Sequence, residues 1–174
     1  MLFLAAGNIA IYNERLTIIL GLITLLFALA AFTSCRCYPS LLTRLRLKDP
    51  SESGWYQTFN KYHAYYWWML WLVLVLHVIT ALMHTELPAF GESEASIHRY
   101  ILGTGLISFV SILVLGFSCR SLVKIIDLFA GKSPLEARAY DAFYKYHPYY
   151  WLFFFLIITA HLAFSYAHVG IWPG

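Results

Sequence analysis

Four runs of about twenty apolar residues divide the chain: Leu16 to Ser34, Ala64 to Met83, Tyr100 to Ser118 and Pro148 to Ala167. Each matches the ~20 residues that cross a ~30 Å hydrocarbon core. A backbone in lipid must satisfy its own hydrogen bonds, so each run predicts a helix. Four helices buried in a large soluble protein would carry polar faces, and these runs show none. Composition agrees: 60% of the 174 residues are hydrophobic and 12% charged, with a mean hydropathy of +0.65. The expected fold is all-α, a four-helix transmembrane bundle in a single membrane domain.

Compared with itself at an offset of 84, the chain shows an ungapped internal repeat, about 14–84 against about 98–168. Tyr-His-Ala-Tyr-Tyr-Trp at Tyr62 to Trp67 answers Tyr-His-Pro-Tyr-Tyr-Trp at Tyr146 to Trp151. Arg15 pairs with Arg99, Gly21 with Gly105, Cys35 with Cys119, Arg36 with Arg120, Lys48 with Lys132 and Pro50 with Pro134. The repeating unit is a helical hairpin. An even number of spans per unit points both copies the same way, which predicts a pseudo-twofold axis along the membrane normal and parallel second and fourth spans.

The formal charge of +3 matters less than its distribution. Ten of the twelve basic residues lie in the two loops inside the hairpins: Arg36, Arg44, Arg46, Lys48 and Lys61, then Arg120, Lys124, Lys132, Arg138 and Lys145. By the positive-inside rule those loops are cytoplasmic and both termini outside, as in a prokaryotic cytoplasmic membrane. Nucleic acid is not indicated as a partner. Pro50 and Pro134 each precede an aromatic and charged stretch, which reads as a short interfacial helix. Met1 to Tyr12 has no positive leader, so it reads as retained and lying along the outer face.

Six of seven histidines fall at repeat-equivalent places on the second and fourth spans: His63 with His147, His77 with His161, His84 with His168. Steps of 14 and 7 keep each ladder near one helix face, since 14 residues come within about 40° of whole turns and supercoiling removes much of that. A single intramembrane histidine is often a hydrogen-bonding group or proton relay. Paired ladders at matched depth offer more: two imidazoles facing across a bundle supply both axial nitrogens of a six-coordinate haem iron. His63 and His77 are ~21 Å apart along the axis, room for two porphyrins, whereas the His84 level lies only ~10.5 Å further on. No Cys-x-x-Cys-His occurs, and Cys35, Cys37 and Cys119 form neither a disulfide framework nor a zinc spacing, so any haem is non-covalent.

The flanking spans carry small residues at the same heights, Gly21 and Gly105 level with His77 and His161, Cys35 and Cys119 level with His63 and His147. Clearance for a flat porphyrin would account for them; so would helix packing through small residues. Arg36 and Arg120 inside, and Arg15 and Arg99 outside, are placed for haem propionates, or else are snorkelling anchors. The tyrosines and tryptophans around His63 and His147 form an aromatic belt at the inner interface.

Histidines with thirteen residues between them on two parallel spans, flanked by small residues fourteen apart, resemble the four-helix haem core of the di-haem cytochrome b family. The pattern is similar to the amino-terminal core of cytochrome b from quinol:cytochrome c oxidoreductases, and more loosely to ferric-reductase-like membrane domains. The resemblance implies two non-covalent haem b groups, His63 and His147 ligating the inner and His77 and His161 the outer. It implies electron transfer across the membrane, with quinol or a cytochrome on the outer face and other subunits of a redox complex as partners. The sequence departs from that family in lacking further helices for a full set of quinone sites and a flavin or nicotinamide domain, and in adding the pair His84 and His168.

With no Gly-x-Gly-x-x-Gly motif, an electron-transfer subunit is expected rather than a complete enzyme. His84, His168, His98 and Glu14 should gather at the outer face, as a quinol or proton site, as an extra metal or third haem site, or as hydrated interface residues. Two other function classes accommodate the ladder: a metal-ion transporter or channel passing ions along histidines, and a membrane anchor without redox role.

Overall fold

The computed structural model describes residues 2–84, 95–119 and 143–169, with side chains over 15–83, 99–119 and 143–168. These residues contain six helices and no strand: α1 (Leu2–Thr33), α2 (Cys37–Arg44), α3 (Gly54–Lys61), α4 (His63–His84), α5 (Ala95–Ser118) and α6 (His147–Val169). Four are long and apolar enough to cross a membrane, over Arg15–Thr33, His63–Met83, Arg99–Ser118 and His147–His168. Those spans agree with the apolar runs to within a residue or two. From Leu2 onward the stretch expected along the outer face is helical and continuous with α1.

Lipid as solvent accounts for the surface. Leu22, Leu26, Leu72, Leu82, Leu106, Val110, Leu152 and Leu156 are all exposed, an apolar coat that water would not tolerate and hydrocarbon favours. The chain has the build of an integral membrane protein.

The helices form two compact units, one holding α1 to α4 and the other α5 and α6. Each is an antiparallel hairpin corresponding to one copy of the repeat. In the first, α1 packs on α4, with Thr17 beside His77 at one end and Ser34 beside His63 at the other. In the second, α5 packs on α6, with Ile101 beside His161 and Ser118 beside His147. The facing residues explain how. Gly21, Thr24, Ala28 and Ala31 on α1, with Cys35 two residues past its end, advance by alternating steps of three and four, as do His63, Trp67, Leu70, Leu74 and His77 on α4. This heptad register holds one seam against one partner over several turns. Small residues on α1 admit the large side chains of α4, the usual basis of close helix contact in lipid.

Between the spans of the first hairpin, the connector satisfies the carbonyls that end α1. The Asn60 amide donates to the Ser34 carbonyl, and the Tyr56 hydroxyl donates to the Cys35 carbonyl at 3.0 Å. The Cys35 carbonyl also accepts from the Tyr38 N–H at 3.0 Å, so the turn out of α1 is held from both the side chain and the main chain. α2 closes on a left-handed residue, Arg46 (φ 58°), with Leu47 N–H donating to the Leu42 carbonyl at 2.9 Å and Arg46 N–H to Thr43 at 3.0 Å. This is the Schellman arrangement with arginine where glycine is usual. The helix expected after Pro50 is α3; α2 was not foreseen. The equivalent stretch after Pro134 lies outside the described residues.

Candidate functional site

The histidine of each hairpin expected at the outer level, His77 in the first and His161 in the second, is seated on a glycine. His77 lies so close to α1 that a Cβ on Gly21 would come within 3.1 Å of its Cε1. That approach brings Nδ1 to 2.9 Å from the Thr17 carbonyl oxygen. A carbonyl only accepts, so Nδ1 carries the proton and donates it, and in the neutral ring the lone pair belongs to Nε2. The second hairpin repeats the arrangement. A Cβ on Gly105 would lie 3.1 Å from Cε1 of His161, whose Nδ1 donates to the Ile101 carbonyl at 3.1 Å with the Thr104 hydroxyl at 3.2 Å. Thr104 gives its own proton to the Tyr100 carbonyl at 2.6 Å.

The inner histidines are held differently. The indole N–H of Trp67, one turn along α4, donates to Nε2 of His63 at 3.1 Å. Nδ1 must then bear the proton, which it gives to the Ser34 hydroxyl at 2.8 Å; Ser34 in turn donates to the Ala31 carbonyl at 3.1 Å. In the second hairpin Trp151 donates to Nε2 of His147 at 3.1 Å, Nδ1 donates to Ser118 at 2.6 Å, and Ser118 to the Leu115 carbonyl at 2.9 Å. Ring geometry is duplicated as well: His63 and Trp67 meet edge to face at 6.4 Å, His147 and Trp151 at 6.3 Å. Each tryptophan stacks on an aromatic ring one turn further on, Trp67 on Trp71 at 6.4 Å and Trp151 on Phe155 at 5.6 Å.

All four histidines therefore present the same tautomer, with Nδ1–H committed to an acceptor on the neighbouring helix or, for His63, one residue past its end. Metal-bound histidines characteristically give the remote N–H to such an acceptor, which fixes ring orientation and raises the basicity of the ligating nitrogen. As a donor set, neutral Nε2 imidazoles fit haem iron. At the inner level, iron and an indole N–H compete for one lone pair.

Other expected residues divide by position. Cys35 and Cys119 are buried, each next to the serine that holds the inner histidine. Arg15, Arg36 and Arg99 are exposed at the ends of the spans, and Arg36 lines a cavity of about 370 Å³ with Pro39, Tyr56 and Asn60. Arg120 lies outside the described residues, as do the side chains of His84, His98 and Glu14. His168 is exposed near the end of α6. The gathering of these last four at the outer face is thus beyond what is described. Ser34 and Ser118 were missed from the sequence. Their signal was available: they are repeat equivalents, each one residue before a cysteine already singled out.

Neither family models, nor curated proteins, nor solved structures give a match to this chain. What the site can do has to be read from its own donors and acceptors.

Proposed function

We propose that the chain is a bis-histidine, di-haem b-type membrane cytochrome that carries electrons across the membrane as a subunit of a larger redox complex. One haem would be held by His77 and His161, the other by His63 and His147. The observation that carries this reading is the seating of His77 and His161. In two separately built hairpins, a glycine gap lets an imidazole reach a main-chain carbonyl with Nδ1, at 2.9 and 3.1 Å, which assigns the lone pair to Nε2. A histidine kept only for helix packing has no need of a fixed tautomer, and a residue larger than glycine would fill the gap more cheaply.

The bound group supplies reversible one-electron chemistry at iron. The residues supply everything else. The four histidines set the ligand field and its depth; Thr17, Ile101, Ser34 and Ser118 hold the rings; Arg15, Arg99 and Arg36 offer guanidinium groups to propionates at the span ends. Quinol, or a redox protein at the outer face, would be the exchange partner nearest His77 and His161.

Protein purified from a haem-sufficient host should show the sharp reduced-minus-oxidised bands of a b-type haem, with iron as its metal. Pigment-free protein carrying zinc would instead support an ion-conducting histidine ladder, and pigment-free, metal-free protein an anchor.

A further inference from the structure

At the end of the first span in each copy the repeat breaks in one reactive group. The first hairpin reads Ser34, Cys35, Arg36, Cys37, and the second Ser118, Cys119, Arg120, Ser121. The pattern common to both copies asks for one cysteine; the first hairpin has two. Its structure brings them together. Arg36, in helical conformation (φ −61°, ψ −17°), turns the chain from α1 into α2, and the Tyr38 N–H closes that turn on the Cys35 carbonyl at 3.0 Å. The two sulfurs thereby come within 4.8 Å of each other, and the Cys37 N–H reaches Cys35 Sγ at 3.5 Å. Both side chains are buried. From α3, the Tyr56 hydroxyl holds the same Cys35 carbonyl at 3.0 Å, so the turn that pairs the thiols is braced by a second element.

We propose that Cys35 and Cys37 form a site for a soft monovalent cation, Cu(I), held between their two sulfurs. The site lies wholly within the first hairpin and does not rest on the haem reading. Thiolate sulfur selects soft metals. A structural zinc takes four protein donors, whereas Cu(I), with a closed d shell, is satisfied by two thiolates. A gap of less than 4.8 Å between sulfurs is one that a single ion can bridge. On binding, each Sγ–H gives its proton to solvent and each sulfur forms one S–Cu bond; copper stays Cu(I) and no electron moves. The bond from the Cys37 N–H does not stand in the way, because a thiolate accepts an N–H through one lone pair and binds metal through another, and such a donor orients the ligand. The complex carries one negative charge. The first turn of α2, which Cys37 opens, favours an anion, and Arg36 brings a positive charge between the two cysteines in the chain.

Full-length protein as purified, kept reduced and anaerobic, is titrated with Cu(I) against a chromophoric Cu(I) chelator. Unaltered protein should withdraw about one equivalent of copper per chain from the chelator. Cys37→Ser, which gives the first hairpin the residue the second already has, should withdraw none. A second measurement needs no variant: X-ray absorption at the copper edge of the loaded, unaltered protein should show two sulfur neighbours. Unaltered protein that leaves the chelator its copper, Cys37→Ser that still withdraws an equivalent, or copper without sulfur neighbours would overturn the site. The haem bands are read separately on the same samples, and their presence or absence decides nothing about the thiol pair.

Discussion

An imidazole that gives its Nδ1 proton to a main-chain carbonyl has committed one nitrogen and exposed the electron pair of the other. Whether it can do so from a neighbouring helix is decided by the residue it must slide past. At Gly21 and Gly105 a Cβ would crowd the ring, 3.1 Å from Cε1 in both hairpins. Gly21→Ala should therefore make the His77 ring give by a few tenths of an ångström against Thr17, and Gly105→Ala should do the same to His161 against Ile101. Overpacking of this kind costs about 1–3 kcal/mol, to be read as a lowered unfolding midpoint in mixed detergent micelles. An unchanged midpoint would mean that the rings are not seated on α1 and α5. The heights of these glycines were legible in the sequence, because their distance from the span end matches that of the histidines. Their partner was not. A bond from a side chain to a main-chain oxygen carries no residue-type signature, so nothing at Thr17 or Ile101 announced it. The tryptophans were equally opaque: an interfacial belt explains Trp67 and Trp151 well enough, and only the rotamer shows that each turns back on a histidine.

Among the elements, the spans were legible to a residue or two, because lipid leaves a backbone no alternative to helix and the apolar runs have the right length. The connector was legible only in part. Pro50 announced α3, whereas α2 begins just after α1 ends, and its best signal was Pro39 within its first turn. What ties the connector to α1 is the Tyr56 hydroxyl on the Cys35 carbonyl, 3.0 Å away. Burial first, then Cys35, Cys37 and Asp49, push this phenol up to about 12 from its ordinary 10, with Arg36 acting the other way. The fold thus favours the protonated form. Its contribution to stability is complete below about pH 10, where the phenol is neutral folded or unfolded, and is lost as pH rises through about 12. Tyr56→Phe should cost about 1 kcal/mol near neutrality. The gap between the two proteins should close between pH 10 and 12. A gap that stays constant across that interval in alkaline unfolding would show that the phenol is not held protonated by the fold.

Across the whole molecule, duplication is the organising fact. Repeat equivalents one period apart do the same work: His63 and His147 with their tryptophans and serines, His77 and His161 with their glycines and carbonyls. The second hairpin builds its site from its own helices as fully as the first. The copies also diverge beside the histidines: Thr104, 3.2 Å from Nδ1 of His161, stands where the first copy has Leu20, and Phe155, stacked on Trp151, where it has Trp71. The relation between hairpins is carried by the repeat pattern in the sequence, and haem stoichiometry is where it becomes measurable. A pyridine haemochrome assay with quantified haem per chain addresses it, run on the unaltered protein and on His77→Ala. The account predicts two haems per chain falling to one, with the remaining spectrum still that of a bis-histidine b-type centre. Two haems retained by His77→Ala, or none in the unaltered protein, would contradict it.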